Sequence, residues 1–480
     1  MEIDRVVRQA WHQIYKGNVT EATTLFQNFL HKYDYYILKQ DPIPVDDIDG
    51  AELLEEIQHA KPTSGGLDGW TPHELAIISV YAAQLLADLL NAIEHGASWP
   101  LPLRQARAAF LAKGTDVEDP LDYRVLSILS PIYRRWGSLR LKHLKAWIHT
   151  WNLDEFYAGT GSNGAEDAWY QTGLQHEAAR LKGQDITGGT ADIWKCFDQV
   201  CRKFVYLLLK IGGFPTRILQ AYMSFHEDCV FYNSLAGTLG LPHCHPNGIP
   251  QECPLSMTVV AFWLRPLVLL IKHQAGTPRL LADDVMISAQ GEHHEIIFRK
   301  CYELTFDFMN DIGAKVAPTK CFTFSSNRVT RQRLRKHFWL SPSSQVAVVT
   351  HLRDLGAHLS MGSILTGTTI TKRLYKATSI VHKIARTSYQ FCNKAMMVRQ
   401  VALATGLYGA EAAPACDQAL AGLRSAIAST IGPHSRLTNN SMKFSIYAHG
   451  TDLDPVVELL TRRVAIVRRM VAKHPGTLAT

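Results

Sequence analysis

The sequence is short of several things, and each shortage removes a class of function. Nine Cys residues are scattered over 480 positions without a CxxC pair, so neither a disulfide framework nor a paired-cysteine zinc fold is expected. The opening residues MEIDRVVRQ carry no basic and apolar leader, which points away from secretion and toward a reducing compartment with free thiols. The longest apolar stretch, MTVVAFWLRPLVLLI from Met257, is about 15 residues and is interrupted by Arg265 and Pro266, too short and broken to span a bilayer, so no membrane role is expected. Internal repeats and low-complexity tracts are missing, which excludes solenoids and fibres. Net charge is small: 50 Lys and Arg against 43 Asp and Glu leave +7, an excess that suits a polyanionic partner without identifying one.

What is present is a globular chain, 46% hydrophobic and 19% charged, long enough for two to four packed units. Residues up to about Gln40 follow helical spacing, 41–60 turn acidic, and Lys61-Pro62-Thr63-Ser64-Gly65-Gly66 marks a boundary. One helix is expected from Leu75 to Ile93, closed by His95-Gly96. Between Arg104 and Trp151 lie a short apolar stretch, an acidic loop from Asp116 to Asp122, and a basic run from Ile132 to Ile148. That run holds Arg134, Arg135, Arg140, Lys142 and Lys145 and is expected as a helix with one wet, positive face. From about 188 to 325 short apolar runs alternate with Gly, Pro and Asp, the pattern of a small antiparallel sheet with helices packed on one side. After Ser325-Ser326-Asn327, the cluster Arg331, Arg333, Arg335 and Lys336 opens a mostly helical last region ending in VVELLTRRVAIVRRMVAKH.

The candidate chemistry lies in the sheet region. RLLADDVMIS sets Asp283 and Asp284 between two apolar runs, the pattern of a hairpin whose turn presents adjacent carboxylates. TADIWKCFDQV places Asp192 after a strand-like stretch, with Phe197 and Asp198 just downstream. Acidic turns are common and neither segment means much alone. Converging carboxylates, however, are what phosphodiester synthesis needs: two divalent cations about 4 Å apart, held by hard oxygen ligands. His243-Cys244-His245 invites a zinc reading, but no second ligand pair stands at a usable distance.

Between the carboxylates lies NGIPQECPLSM, and the succession resembles the conserved blocks of reverse transcriptases, nearest to non-LTR (LINE-type) retrotransposons. Asp192 to Phe197-Asp198 resembles the first palm block, Gly248 to Gln251 through Pro254-Leu255-Ser256 the second, and Ala282-Asp283-Asp284 the third. Upstream, AFLAKGTDVEDPLDYRVLSIL resembles the finger blocks and FYAGTGSNGAEDAW the block before the palm. Downstream, GAKVAPTKC ends at Lys320, the family's fourth palm lysine, HLRDLGAHL resembles the primer grip around Leu355-Gly356, and GLYGAEA the thumb. The resemblance covers about residues 60 to 415.

It implies an α+β right-hand polymerase: an N-terminal helical extension (1–60), fingers (61–187), a palm with an antiparallel sheet and helices (188–325), then primer grip, helical thumb and C-terminal helices (326–480). By the same resemblance Asp192, Asp283 and Asp284, with the Ile193 carbonyl, would hold Mg2+, or Mn2+ as the alternative. Lys113 and Arg124 would grip the triphosphate of a dNTP, Phe197 would block a ribose 2′-hydroxyl, and Gln251 would lie against template and nascent pair. Lys320 would protonate departing pyrophosphate or steady it. The implied partners are an RNA template and a DNA primer or target, and the implied location is nuclear, otherwise cytoplasmic. Basic residues at 134–145, 331–336 and 462–473 could track duplex phosphates.

Three departures stand out. Glu252 replaces the family's Gly, adding bulk and negative charge near phosphates. Leu281 replaces an aromatic before Ala-Asp-Asp, and Tyr123-Arg124-Val125 replaces Tyr-Arg-Pro. No endonuclease, RNase H or zinc-knuckle segment is recognisable. The expected activity is RNA-directed DNA polymerisation; the rivals are a catalytically silent RNA-binding relative, for which Glu252 speaks, and an RNA-dependent RNA polymerase or group II intron-type maturase.

Overall fold

The computed structural model describes residues 2–114, 117–161, 163–362, 366–432, 439–447 and 452–473. Thr115, Asp116, Ser162 and His474, which belong to segments quoted above, lie outside them. In chain order the strands are β1 (Gln105–Ala112), β2 (Tyr123–Ile128), β3 (Ile186–Asp192), β4 (Val230–Leu235), β5 (Thr238–Leu239), β6 (Thr277–Leu281), β7 (Asp284–Gln290), β8 (Phe322–Ser325), β9 (Ala347–Val349), β10 (His351–Asp354) and β11 (Ala357–Ser360). Among the described residues they form a sheet of order β2-β1-β4-β5, a five-stranded sheet of order β6-β7-β3-β8-β9, and the hairpin β10-β11. Helices fill the rest, and the class is α+β.

The first sheet buries alternate residues, as a half-covered strand pattern requires. Ala108 and Val125 face Val7, Trp11 and Ile14 of helix Glu2–Tyr15, which lies across the sheet. Strand β4 enters from far along the chain and pairs parallel with β1. In the second sheet β3 is central and buried along its length until Asp192. Its Thr187-Gly188-Gly189-Thr190 core has low strand propensity, yet glycine is needed there. A Cβ on Gly188 would stand 2.7 Å from the Ile287 carbonyl oxygen.

One face of this sheet carries helix His294–Asp311, whose Tyr302 hydroxyl donates to the Thr190 carbonyl at 2.8 Å. The opposite face, which the sequence pattern left uncovered, packs Met286 and Phe324 against Leu352 and Leu359 of the β10–β11 hairpin. The sheet also outruns the boundary placed at 325. Strand β9 pairs parallel with β8, because residues 326–346, with helix Arg328–Lys336, supply the long crossover a parallel pair requires. A second core, built around helices Thr368–Ala385 and Asp417–Ile431, makes up the C-terminal part.

Several expectations are corrected. The helix expected from Leu75 to Ile93 is two, Pro72–Leu75 and Val80–Glu94. Ser79 caps the start of the second, its Oγ accepting the Ala82 N–H at 3.2 Å. The basic run breaks at Leu144 into Pro131–His143 and Lys145–Trp151, and its positive face is wet only in part: Lys142 and Lys145 are exposed, Arg134 and Arg135 half-buried. Arg140 is fully buried, donating to Glu94 Oε1 and Oε2, each at 2.6 Å, while Trp136 Nε1 donates to Glu94 Oε1 at 2.8 Å. Helix Ser256–His273 is long and apolar enough by length and composition to cross a membrane, but 72% of it is buried inside the protein. Arg265 within it is satisfied by the Trp151 and Tyr36 carbonyls at 3.1 and 3.2 Å. All nine cysteines are free thiols.

Breaking a buried ion pair strands a charge, whereas replacing both partners does not. Glu94→Ala should therefore destabilise the protein by about 3–5 kcal/mol, read as earlier thermal unfolding. The double replacement Glu94→Leu with Arg140→Met should recover most of that loss.

Candidate active site

The two sheet carboxylates meet by register. Asp192 ends β3 and pairs across the strands with Asp284, the first residue of β7, so both project at the same end of the sheet. Strands β6 and β7 close through Leu281 and Asp284, leaving Ala282 and Asp283 as a two-residue turn. Ala282 holds φ +56, a conformation that costs a non-glycine residue roughly 1–2 kcal/mol. The strain sits in the turn that presents Asp283.

Residues 192–194 are clamped on their other side. The Asp192 carbonyl accepts from Ala317 N–H at 2.9 Å, and Trp194 N–H donates to Lys315 O at 2.8 Å, an antiparallel bridge in which Ile193 faces Val316. That pattern uses the groups of residues 192 and 194 and turns the Ile193 carbonyl to the opposite side. Just beyond, Lys320 Nζ donates to Asp192 Oδ1 at 3.0 Å.

The charges are poorly compensated. Burial pushes the Asp283 carboxyl up, with Asp192 adding to the rise and Lys320 and Arg124 opposing it. Asp284 is raised to about 6, first by burial, with Asp354, Asp283 and Asp192 adding and Arg279 opposing. Asp198 is raised to about 7 by burial despite Lys195 and Lys113. Such a group asks for a cation. Among the described residues no three Asp, Glu, His or Cys side chains are drawn together as a finished metal cage; the Lys320 ammonium instead occupies one oxygen of Asp192. The donor set nevertheless fits a hard divalent ion, being carboxylate and carbonyl oxygen only.

The loop of the second motif is fixed to the first. Gly248 N–H donates to Val200 O at 2.9 Å and Ile249 N–H to Phe197 O at 2.7 Å. Gly248 adopts φ +90, and a Cβ there would lie 2.7 Å from the Asp198 carbonyl oxygen, so the position accepts only glycine. Phe197 and Gln251 thereby line one small cavity with Asp198.

A family model described as reverse transcriptase (RNA-dependent DNA polymerase) matches residues 113–354, half of the chain, from Lys113 to Asp354. The chain belongs to the reverse transcriptase family. It is also similar to the retrovirus-related Pol polyprotein from the type-2 retrotransposable element R2DM of Drosophila melanogaster, with 20% identity over 279 residues. That match takes in 56% of this chain and 26% of the relative, so the chain spans about a quarter of that protein's length. The likeness to non-LTR elements read from the motifs agrees with it. Members of this family depend on a divalent metal.

The other residues singled out by the motifs lie as follows. Lys113 follows β1, its N–H donating to the Asp122 carbonyl at 3.2 Å, and Arg124 lies opposite Leu111 on β2. Both side chains are exposed, and their charges reach Asp198 and Asp283 respectively. Phe197 is buried at 8% exposure beside the first carboxylate strand. His245 is no metal ligand in form: its ring is stacked between Tyr15 at 3.5 Å and Phe231 at 3.8 Å.

The basic clusters are largely engaged within the protein. Arg331 donates to the Ser325 and Ser326 carbonyls, Arg333 pairs with Glu295, and Arg469 and Lys473 both pair with buried Asp167. Arg335, Lys336 and Arg468 remain exposed.

Sequence reasoning missed four contributors. Lys195 holds φ +46, lies 3.9 Å over the Trp11 ring, and is lowered to about 8, chiefly by burial. Asp198 was quoted without a role. Arg279 and Asp354 form a buried ion pair joining β6 to β10, with Arg279 Nη2 donating to Asp354 Oδ1 at 2.7 Å. The signal for the pair, a lone Arg within an apolar strand and a lone Asp before Leu355-Gly356, was in the sequence but unpaired there.

Magnesium titrated calorimetrically into the protein should bind saturably. Asp284→Asn should weaken that binding at least about tenfold, the scale seen when even supporting groups of a metal site are lost. Equal affinity in the variant would remove Asp284 from the site.

Proposed function

We propose that the chain is an RNA-directed DNA polymerase of the non-LTR retrotransposon type, adding deoxynucleotides to a primer 3′-hydroxyl on an RNA template. The observation that carries this reading is the register that sets Asp192 against Asp284, with Asp283 in the turn beside them, inside the segment from Lys113 to Asp354. Held by these carboxylates and the Ile193 carbonyl, two divalent ions, Mg2+ by preference, would activate the primer hydroxyl and neutralise the triphosphate.

The chain's own residues supply the rest. Lys113 brings a point charge and Arg124 a planar fork to the triphosphate oxygens. Phe197 closes the space a ribose 2′-hydroxyl would need. Gln251, on a loop pinned to Phe197, meets the template and nascent pair. Lys320, already on Asp192, is placed to pass a proton to departing pyrophosphate or to steady its charge. The division into an extension, fingers, palm and thumb, and a nuclear location, belong to the same proposal.

Glu252 was the residue favouring a silent RNA-binding relative. Its carboxylate accepts the Ser127 N–H at 2.9 Å and is not an unpartnered charge facing the nucleic acid.

Primer extension on an RNA template with magnesium tests the proposal. The parent should extend with dNTPs and not with ribonucleotides, and Asp283→Asn should lose extension by several orders of magnitude. Phe197→Ala should admit ribonucleotides while keeping dNTP use. Extension by Asp283→Asn at the parental rate, or none by a folded parent that binds template-primer, would contradict it.

A further inference from the structure

We infer that Glu252, which stands where the resembled family carries glycine, is a positioning residue that ties the loop bearing Gln251 to the strand bearing Arg124. The inference rests on the polymerase reading above for its consequence, though not for its geometry.

Strand β2 is the edge of its sheet, with β1 on one side and no strand on the other. In an antiparallel pair every second residue of an edge strand turns its N–H outward. Ser127 is such a residue; it is 7% exposed, and its outward N–H needs an acceptor. Glu252 Oε2 supplies one at 2.9 Å. Burial pushes this carboxyl up, and Ser127 N–H, its own backbone N–H, Arg124 and Arg134 oppose that rise without cancelling it.

The two ends of this bond matter because of what lies beside them. Ser127 is three residues beyond Arg124, whose charge reaches both Glu252 and Asp283. Glu252 follows Gln251, and the same loop is bonded through Gly248 and Ile249 to Val200 and Phe197. A connected path thus runs from the triphosphate-gripping strand through Ser127 and Glu252 to the residue that polices the sugar. Glycine at 252 has no acceptor to offer Ser127 and would leave β2 free to shift against the carboxylates.

Hydrogen exchange and kinetics on the same variants separate the tie from the chemistry. Exchange at the Ser127 amide should be slow in the parent and in Glu252→Gln, whose side-chain oxygen still accepts, and fast in Glu252→Gly. In primer extension Glu252→Gly should raise KM for the incoming dNTP about tenfold, the weight of one hydrogen bond to a charged acceptor, with kcat little changed, and Glu252→Gln should stay near the parent. Slow exchange in Glu252→Gly, or faster extension at unchanged KM, would overturn the inference and mark Glu252 as a lesion. If the parent extends no primer while exchange follows the expected order, the tie stands and the polymerase reading falls.

Discussion

Everything around the strand ends answers one electrostatic problem: backbone register sets Asp192 opposite Asp284, the turn adds Asp283 beside them, and the first two cannot move apart without breaking the sheet. Like charges repel more strongly wherever water is thinned, and burial pushes the Asp283 carboxyl up and raises Asp284 to about 6. The cations nearby each have a post. Lys320 sits on Asp192, Arg279 opposes the rise at Asp284 while locked to Asp354, Lys113 and Lys195 approach from the loops, and Arg124 from β2. A protein that only needed a stable sheet would not keep this arrangement. One that needs divalent ions with triphosphate between them has to.

The same problem explains why the site is built from several parts of the chain. The first sheet brings Lys113 and Arg124, the second brings the carboxylates, and neither can do the other's work. They share one hydrophobic core, which takes in Ala106 and Phe231 of the first sheet and Ala191, Val285 and Ile287 of the second, and near the site they are tied by the Glu252 to Ser127 bond, the Lys195 side chain stacked over Trp11 of the first helix and donating to Leu121 O at 2.8 Å, and the loop from Gly248 pinned to the first motif. On the far side the turn at Leu355, held at φ +45, has its carbonyl bonded by the Tyr408 hydroxyl at 3.0 Å. The segment GLYGAEA therefore bears directly on the turn at Leu355-Gly356.

Much of this was legible in the sequence, for identifiable reasons. The hairpin at Ala282-Asp283 follows from two apolar strands around a polar pair, and the helical C-terminal part from its periodicity. What escaped depended on partners distant in the chain. Arg140 reads as a solvated helix charge until Glu94 is brought to it, 46 residues away. Glu252 reads as an intruding charge until Ser127 appears as its donor. Ser79 starts a new helix where composition alone would have carried one through. That the sheet continues past 325 was not legible, because parallel pairing of β8 with β9 leaves no local signature.

The central claim is that these carboxylates are a divalent-cation site completed by nucleic acid and nucleotide. The most direct measurement is the anomalous scattering of Mn2+ in crystals of the protein with template-primer and an incoming dNTP. The expected map shows two peaks about 4 Å apart, between Asp192 and Asp283, with Lys320 displaced from Asp192 Oδ1. A map with no peak there and Lys320 still bonded to Asp192 would contradict the claim.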